Sequence, residues 1–348
     1  MSYLGKVNRD KDIISYLFVI VCMVICSGCT ESGRGQAFPV LKGPYLGQEP
    51  PGMNPEIFAP GIISTGHSEQ QIAFTPEGNE LFLWLGESRP YCLILGMKIE
   101  GKKWSALQVA PFSGKYVDMK FSISPDGTLL LFSSNRPYRP DGKPLDNLDI
   151  WLVKRDLNHW SEPVRIDSEV NTQSHDYYPT ISKKKNLYFM SDREGGMGED
   201  DIYFACFKEG KWINVENIGS TINSKLNEGD PFIAKDERYI LFCSRDRRGG
   251  FGNNDLYISY RKSDGSWSHA LNMGETINTP SEEVCPIVSH DGKYLFFSSN
   301  RKKIKTSPGI PLTYKKIVRD LENPGNGSYD IYWVSARIIE DMKKKILK

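Results

Sequence analysis

The sequence is poor in the residues and spacings that identify most enzymes. Its five histidines are isolated, since none stands at metal-ligand spacing from another. No GxSxG motif marks a nucleophilic serine. The net charge is +1, from 44 basic and 43 acidic residues. A charge this close to zero gives no reason to expect a nucleic-acid partner. The composition therefore predicts neither a metal centre nor a cofactor, and no nucleic acid.

Apolar runs are also short. The longest, residues 13–25, falls below the ~20 residues of a membrane-spanning helix. Basic residues precede it, and Ser27-Gly28-Cys29 ends it. This order resembles a bacterial lipoprotein signal, although Cys26 stands where Leu, Val or Ile is usual. The resemblance implies that residues 1–29 are a signal peptide and that a lipid on Cys29 is the sole membrane contact. A retained transmembrane helix is the alternative.

Few cysteines remain beyond this leader. Cys92, Cys206, Cys243 and Cys285 fall in strand patterns, and none forms a CxxC pair. We expect buried free thiols, even in an oxidising compartment. Residues 30–52 are rich in Gly, Pro and Ser, a composition that predicts a tether.

What the sequence has in abundance is repetition. Four segments are closely alike: ISPDGTLLLFSSNR (123–136), ISKKKNLYFMSDR (181–193), IAKDERYILFCSRDR (233–247) and VSHDGKYLFFSSNR (288–301). A weaker copy, AFTPEGNELFLW (73–84), precedes them, and equivalent residues recur at steps of 49, 58, 52 and 55. A period near fifty, built from short strand patterns, predicts a β-propeller with one blade per repeat.

Each repeat contains the same order of elements. An inner strand leads through a turn such as Pro125-Asp126-Gly127 to a second strand that ends in Ser-Ser-Asn-Arg or a variant of it. A third strand opens with Asp-Ile-Tyr or a similar triplet, and a Trp begins the outer strand. These motifs resemble the TolB-type, WD40-like propeller repeat over residues 53–336. The resemblance implies a periplasmic or cell-surface propeller, and it does not specify a function.

The ends of the chain predict how the ring closes. The fifth repeat lacks an outer strand and continues into residues 337–348, which read as a basic tail or helix. Met53–Ser64 (MNPEIFAPGIIS) matches the outer-strand segment Trp212–Asn223 (WINVENIGSTIN), so residues 53–64 are expected to complete the last blade. The predicted fold is all-β: a five-bladed propeller with four-stranded blades, closed by an N-terminal strand that removes an open sheet edge.

A carboxylate recurs at the start of every inner strand. The five are expected to ring one mouth of the central channel: Glu69, Asp118, Asp176, Glu228 and Glu283. Unpaired, they would repel one another, acquire raised pKa values and attract a cation or sugar hydroxyls.

The alternative is that these carboxylates are architectural. In blades two to five the hairpin brings the carboxylate beside an arginine, which is Arg136, Arg193, Arg301 and, in blade four, Arg245 or Arg247. The aspartate that opens the third strand reaches the same end, so we expect each arginine to bridge two carboxylates. These aspartates are Asp149, Asp201, Asp255 and Asp330. Recurrence in every blade favours this second interpretation.

Blade one departs from the pattern, because it lacks both the arginine and the third-strand aspartate. Specific contacts are therefore expected beside Glu69, from Trp84, Arg89 and Tyr91, and from the two histidines that precede ring acids, His67 and His175. Residues 302–329 form an insertion expected to overhang the mouth as a lid or contact loop, and a mobile solvated loop is the simpler alternative. Glu199–Asp201 and Asn253–Asp255 could hold calcium, although Asx turns explain them more simply.

Together these features favour a lipid-anchored binding or scaffold module of the bacterial cell envelope. Its ligand would be a protein, a peptide or a glycan held at the propeller mouth, without catalysis. The alternative is a glycoside hydrolase or polysaccharide lyase that uses the ring carboxylates, for which a separation of ~5–9 Å would be required.

Overall fold

Five antiparallel sheets follow one another along the chain in the computed structural model, which describes residues 38–87, 91–157, 159–166, 169–303 and 311–346. The N-terminal strand and the strands of blades one and two are β1 (Glu56–Ile57), β2 (Glu69–Phe74), β3 (Glu80–Gly86), β4 (Cys92–Glu100), β5 (Lys103–Trp104), β6 (Gln108–Val109), β7 (Asp118–Ile123), β8 (Leu129–Ser134), β9 (Asp149–Asp156), β10 (His159–Trp160) and β11 (Val164–Arg165).

The remaining strands build blades three to five. They are β12 (Asp176–Ile181), β13 (Leu187–Ser191), β14 (Asp201–Lys208), β15 (Lys211–Asn217), β16 (Asn227–Ile233), β17 (Tyr239–Arg245), β18 (Asn254–Tyr260), β19 (Leu271–Asn272), β20 (Glu283–Val288), β21 (Tyr294–Ser299) and β22 (Asp330–Ser335). The helical segments are a 3₁₀ turn (Pro44–Gly47), α1 (Tyr314–Leu321) and α2 (Arg337–Ile346).

The sheets close into a ring. In blades one to four the strands are hydrogen-bonded in chain order, from an inner strand that faces the neighbouring inner strands to an outer one. Blade five has the order β20-β21-β22-β1, with Glu56 opposite Trp333 and Ile57 opposite Tyr332. The prediction of five four-stranded blades closed by an N-terminal strand is confirmed, with two short strands sharing the outer position in blades one and two.

The register of the closing segment differs from the prediction by one residue at the strand. Ser64 occupies the place expected for it, since its Oγ accepts from Ile331 N at 3.0 Å as Asn223 Oδ1 accepts from Ile202 N. Phe58 N, however, donates to Ile331 O at 2.8 Å where the alignment had placed Ala59. The turn that starts at Ala59 (φ 43°) holds one extra residue, and this absorbs the shift.

Aromatic side chains fill the seam that the closing strand completes. Phe58, Phe296 and Trp333 are each at most 1% exposed. The Phe58 ring lies 5.0 Å from Trp333 and 5.3 Å from Phe296, both in edge-to-face geometry. The first and last blades are therefore joined by a packed interface as well as by backbone hydrogen bonds.

Part of the predicted tether packs on the propeller. Tyr45 contacts Phe74, Tyr294 and Trp333, with ring centroids 5.1, 4.9 and 5.8 Å away. Trp104 Nε1 donates to Gly43 O at 3.0 Å, and Leu46 is buried. A free tether over residues 30–52 is therefore wrong for the segment from Leu41 onward, because its aromatic and aliphatic side chains cover the seam between blades five and one.

The C-terminal segment forms helix α2, one of the two forms expected for it. Ile338, Ile339 and Met342 are buried, and Tyr260 Oη donates to Ile339 O at 2.6 Å. The helix is thereby fixed to blade four. No helix in the described ranges has the length and apolar character needed to cross a membrane. Cys29 and Arg89 lie outside the described residues.

Candidate functional site

The five ring carboxylates are shielded from solvent. Glu69 is 3% exposed and the other four are 0% exposed. In blade two, Asp118 accepts from Arg136 Nη2 at 2.6 Å, from Ser134 Oγ at 2.7 Å and from Ser113 Oγ at 2.8 Å. The equivalent ion pairs in the other blades are Arg193–Asp176 (2.5 Å), Arg247–Glu228 (3.0 Å) and Arg301–Glu283 (3.0 Å). These acids are thus satisfied by donors of the protein.

The arginines do not bridge two carboxylates, so that prediction is wrong. Asp201, Asp255 and Asp330 instead accept backbone N–H groups of the loops before them, from Met197, Phe251 and Gly325. Asp149 pairs with Arg165, at 2.7 Å, and not with Arg136.

The glycines of these loops explain the geometry. A Cβ at Gly196 would lie 2.5 Å from Asp201 Oδ2, and one at Gly250 would lie 2.4 Å from Asp255 Oδ2. Only a residue without a side chain lets the loop approach closely enough to direct its amides at the aspartate. The glycine turns are therefore structural supports for the third strand.

In blade one the described partner of the ring acid is a threonine. Glu69 accepts from Thr65 Oγ1 at 2.5 Å and from Thr65 N at 3.1 Å. Burial raises the pKa of Glu69, against these hydrogen bonds. Burial, with Glu69 nearby, also raises the pKa of Asp330 to about 7. Among the described residues, these two carboxyls at the seam between blades five and one have no guanidinium partner.

The contact residues expected in blade one are not gathered into one surface. Trp84 is 5% exposed, and its Nε1 donates to Cys92 Sγ at 3.4 Å, so the expectation that it contacts a ligand is wrong. Tyr91 is exposed, and His67 lies 3.8 Å from Glu87. His175 Nδ1 accepts from Leu148 N at 3.1 Å, which gives this ring a local structural partner.

The inner strands share a bulge two residues after each ring acid. At this position Lys120, Tyr178, Asp230 and Cys285 have φ of 46°, 50°, 52° and 54°, in the left-handed region that L-residues rarely adopt. Gln71 is the equivalent in blade one, and its side chain bonds to both backbone groups of Phe121 in the next blade. The bulges therefore connect neighbouring blades at one level of the channel.

A buried ion pair fills the channel at this level. Lys120 Nζ lies 2.6 Å from Asp230 Oδ1, and it also lies 4.8 Å from the centre of the Tyr178 ring. Burial alone would lower the pKa of Lys120, but the Asp230 carboxylate raises it above the ordinary value. Tyr178, Asp230 and Cys285 are 2–3% exposed, so the channel is filled here.

A polar cavity of about 220 Å³ lies on the mouth side of this ion pair. All five inner strands contribute to it, and none of the ring acids lines it. Its polar lining residues are Gln70, Lys120, Tyr177, Asp200, Asn227, Asp230, Arg245, Asn254, Glu282 and Tyr329. A smaller, mainly apolar cavity of about 90 Å³ lies at the other end of the inner strands.

Sequence reasoning missed most of this lining, since it searched for residues that recur. Lys120, Tyr177, Asp230 and Glu282 flank ring acids at positions that differ from blade to blade. This variation between blades was the signal that could have identified the cavity lining. Residues required by the blade architecture recur in the repeats, whereas residues with a specific role differ between them.

The insertion of residues 302–329 is attached to this mouth. Asn326 Nδ2 donates to Gly66 O at 2.9 Å in blade one, and Tyr329 Oη donates to Glu282 in blade five. Helix α1 has no buried residue, and Thr313 Oγ1 caps it by accepting from Lys316 N at 3.2 Å. The insertion's described end thus spans the seam between blades five and one.

The acidic clusters considered for calcium have protein partners. Asp200 accepts from Tyr177 Oη at 2.9 Å and from Asn227 Nδ2 at 2.7 Å. Burial raises the pKa of Asp200. Across the described ranges, no three His, Cys, Asp or Glu side chains converge as metal ligands. Cys92, Cys206, Cys243 and Cys285 form no disulfide, and Cys206 is partly exposed where burial was expected.

No protein-family model and no curated protein matches the sequence. Solved structures share its fold. A putative TolB from Agrobacterium tumefaciens is 16% identical over 77% of this chain and 90% of its own, with a TM-score of 0.46. An α-L-arabinofuranosidase from Lactobacillus brevis is 12% identical over 78% of this chain and 91% of its own, with a TM-score of 0.45. A glycoside hydrolase is 9% identical over 81% of this chain and 92% of its own, with a TM-score of 0.50. The expected likeness to TolB propellers is found, and at these identities it concerns the fold alone.

Proposed function

We propose that this protein is a lipid-anchored β-propeller of the bacterial cell envelope that binds a ligand at its channel mouth without catalysis. One observation carries the proposal: the recurring carboxylates are 0–3% exposed. A glycosidase needs two carboxyl groups that reach the substrate, one as acid and one as base or nucleophile. Buried carboxylates held by Arg136 and its equivalents have no access to a substrate, and they stabilise the blades instead.

The variable positions support a binding role. Tyr177, Asp200, Arg245, Glu282 and Tyr329 come from three different blades and converge on one polar cavity. Pockets lined by a few convergent polar groups are the usual sites of small ligands or of the tips of larger ones. We expect the ligand to be a protein segment, a peptide or a glycan, and the envelope location to follow from the leader and a lipid on Cys29.

Turnover assays test the absence of catalysis. The full-length protein would be incubated with a panel of polysaccharides and peptides, and new reducing ends, unsaturated sugars and new amino groups would be measured. We expect no product above the blank. Glycan cleavage that Glu69→Gln, Asp200→Asn or Glu282→Gln abolishes would establish the hydrolase or lyase alternative in place of the binding role.

The anchor is tested separately. Cells that express the wild type or Cys29→Ser would be fed a fatty-acid analogue that can be labelled, with Cys206→Ser as the matched control. Label in the wild type and in Cys206→Ser, and none in Cys29→Ser, is the expected result. Equal labelling of all three, or of none, would contradict lipid attachment at Cys29.

A further inference from the structure

Blade four presents two polar side chains to the channel cavity that have no hydrogen-bond or ion-pair partner among the described residues. They are the guanidinium of Arg245 and the amide of Asn254. The two residues face each other across strands β17 and β18. Arg245 is exposed, whereas Asn254 is only 9% exposed. The amide of Asn254 lines the cavity, so its donors and its acceptor are available to a ligand there.

The repeat shows that Arg245 is not needed for the fold. Its equivalents Asn135, Asp192 and Asn300 each accept a backbone N–H from the residue before a ring acid, at 3.0, 2.7 and 2.9 Å. A guanidinium has no acceptor, so Arg245 cannot make this bond. Asn227 pairs with Arg245 through the backbone instead.

The architectural arginine of blade four is a different residue. Arg247 binds Glu228 at 3.0 Å and Ile222 O at 2.5 Å, as Arg136 binds Asp118 and Phe112 O in blade two. Two residues, Arg245 and Asp246, separate Ser244 from this arginine, where the other blades have one, and Asp246 takes φ 53°. Because of this extra residue, blade four has a second arginine, Arg245, at the cavity. Its charge has no partner among the described residues.

Two carboxylates flank this pair on the neighbouring blades. The carboxylate of Asp200 in blade three accepts from Tyr177 and Asn227. The carboxylate of Glu282 in blade five accepts from Tyr329 and, at 3.5 Å, from Asn253 Nδ2. Each carboxylate accepts up to about four hydrogen bonds, so both retain acceptor capacity. The cavity therefore offers a cationic fork in the centre and anionic acceptors on either side.

We propose that the cavity binds a sugar residue that carries a carboxylate, a uronic acid, with the carboxylate on Arg245 and Asn254 and the hydroxyls donating to Asp200 and Glu282. A carboxylate matches the planar fork of a guanidinium through two parallel hydrogen bonds. The hydroxyls on the ring supply the donors that the flanking carboxylates require. The cavity volume of about 220 Å³ is far more than the ~10–15 Å³ that a single water molecule needs on the same measure, so the cavity has room for one terminal sugar residue.

The flanking charges decide against other anions. Asp230 is paired with Lys120, so Arg245 is the cation available to offset a ligand's charge in this lining. A phosphate dianion would bring two negative charges towards Asp200 and Glu282, whereas a uronate brings one, which the guanidinium balances. The C-terminus of a peptide would satisfy Arg245, but it has no hydroxyls for the two carboxylates. The ligand class rests on the proposed binding function of this mouth, and it narrows that function to acidic glycans.

Calorimetric titration of the full-length protein with D-glucuronate, D-galacturonate, D-glucose and an N-acetylated dipeptide tests the proposal. We expect a uronate to bind and D-glucose to bind at least tenfold more weakly, since a hydrogen bond to a charged group contributes about 1.5–3 kcal/mol. Arg245→Asn and Asn254→Leu use residues found at these positions in other blades, so both should fold. Each should weaken uronate binding about 10- to 100-fold.

Arg248→Asn is the matched control, because Arg248 is an exposed arginine of the same loop that does not line the cavity. It should leave uronate binding unchanged. Absence of uronate binding by the wild type, or equal binding by Arg245→Asn, would overturn the proposal. Dipeptide binding as tight as uronate binding would overturn the sugar as ligand while leaving a binding mouth. Uronate release from a polymer would contradict the non-catalytic function itself.

Discussion

The ammonium of Lys120 and the carboxylate of Asp230 lie 2.6 Å apart across the central channel, on the inner strands of blades two and four. Their side chains are 16% and 5% exposed. Removing one partner of a buried pair leaves an uncompensated charge, which destabilises a protein by about 3–5 kcal/mol.

We expect Lys120→Met to lower the free energy of unfolding by about 3 kcal/mol or more, and Asp230→Asn to act similarly. The double variant should recover a large part of the loss, because neither charge is then left alone. Guanidinium unfolding of the four proteins gives the coupling energy directly. Lys98→Met is the control, since the exposed Lys98–Glu100 pair should contribute at most about 1 kcal/mol. Additive effects of the two buried changes would contradict the pairing.

The ring acids should respond to mutation according to their partners. Arg193→Met leaves Asp176 buried without its guanidinium, so we expect a loss of about 3–5 kcal/mol. Glu69→Gln removes a carboxylate that has no arginine partner in the described part of the chain and whose pKa is raised by burial, so we expect a change below about 1 kcal/mol. Thermal or denaturant unfolding measures both. Equal losses would mean that Glu69 is as well paired as the other four.

Stability should depend on pH through Asp330. Its pKa is raised from 3.8 to about 7 in the fold, so the folded state binds this proton more tightly than the unfolded state does. Between these two values the Asp330 contribution therefore falls as pH rises, by up to about 1.4 kcal/mol per pH unit, and it is constant above about 7.

The variant Asp330→Asn removes this titration and keeps an acceptor for Gly325 N–H. The difference in unfolding free energy between variant and wild type should shift in favour of the variant from pH 4.5 to pH 7. Asp264→Asn is the control, because the pKa of that exposed group is lowered, not raised. If the difference in unfolding free energy between Asp330→Asn and the wild type did not change with pH, the pKa of Asp330 would not be raised in the folded protein.

Ring closure should depend on one aromatic side chain of the closing segment. Phe58 is 0% exposed and packs on Phe74, Phe296 and Trp333. We expect Phe58→Ala to destabilise the protein by about 3–5 kcal/mol. Phe251→Ala, at a 45% exposed site, should change stability by less than about 0.5 kcal/mol. Similar unfolding midpoints for the two variants would contradict a closing role for Phe58.

The fold was largely predictable, because the motifs of each repeat indicate the order of its strands. The missing outer strand of the last blade was identified by matching residues 53–64 to residues 212–223. The exact register was not, since the extra residue after Ala59 lies in a turn that the repeat does not constrain. The tether prediction failed from Leu41 onward because composition does not show that Tyr45 and Leu46 have a seam to cover.

The site was predictable only in part. Hairpin geometry correctly placed Arg136 beside Asp118, but it could not show that Gly196 and Gly250 let loop amides satisfy Asp201 and Asp255. The pairing of Lys120 with Asp230 joins blades two and four, which no repeat-by-repeat comparison brings together.

The pairing of β1 with β22, which closes the ring, can form only late in folding. Ser64 and Ile331 are hydrogen-bonded although 267 residues separate them, so this contact forms at the cost of closing a very long loop. The ribosome makes β1 before the first repeat and β22 at the end of the fifth. Until β22 has been made, the propeller ring cannot close, and β1 has no partner strand.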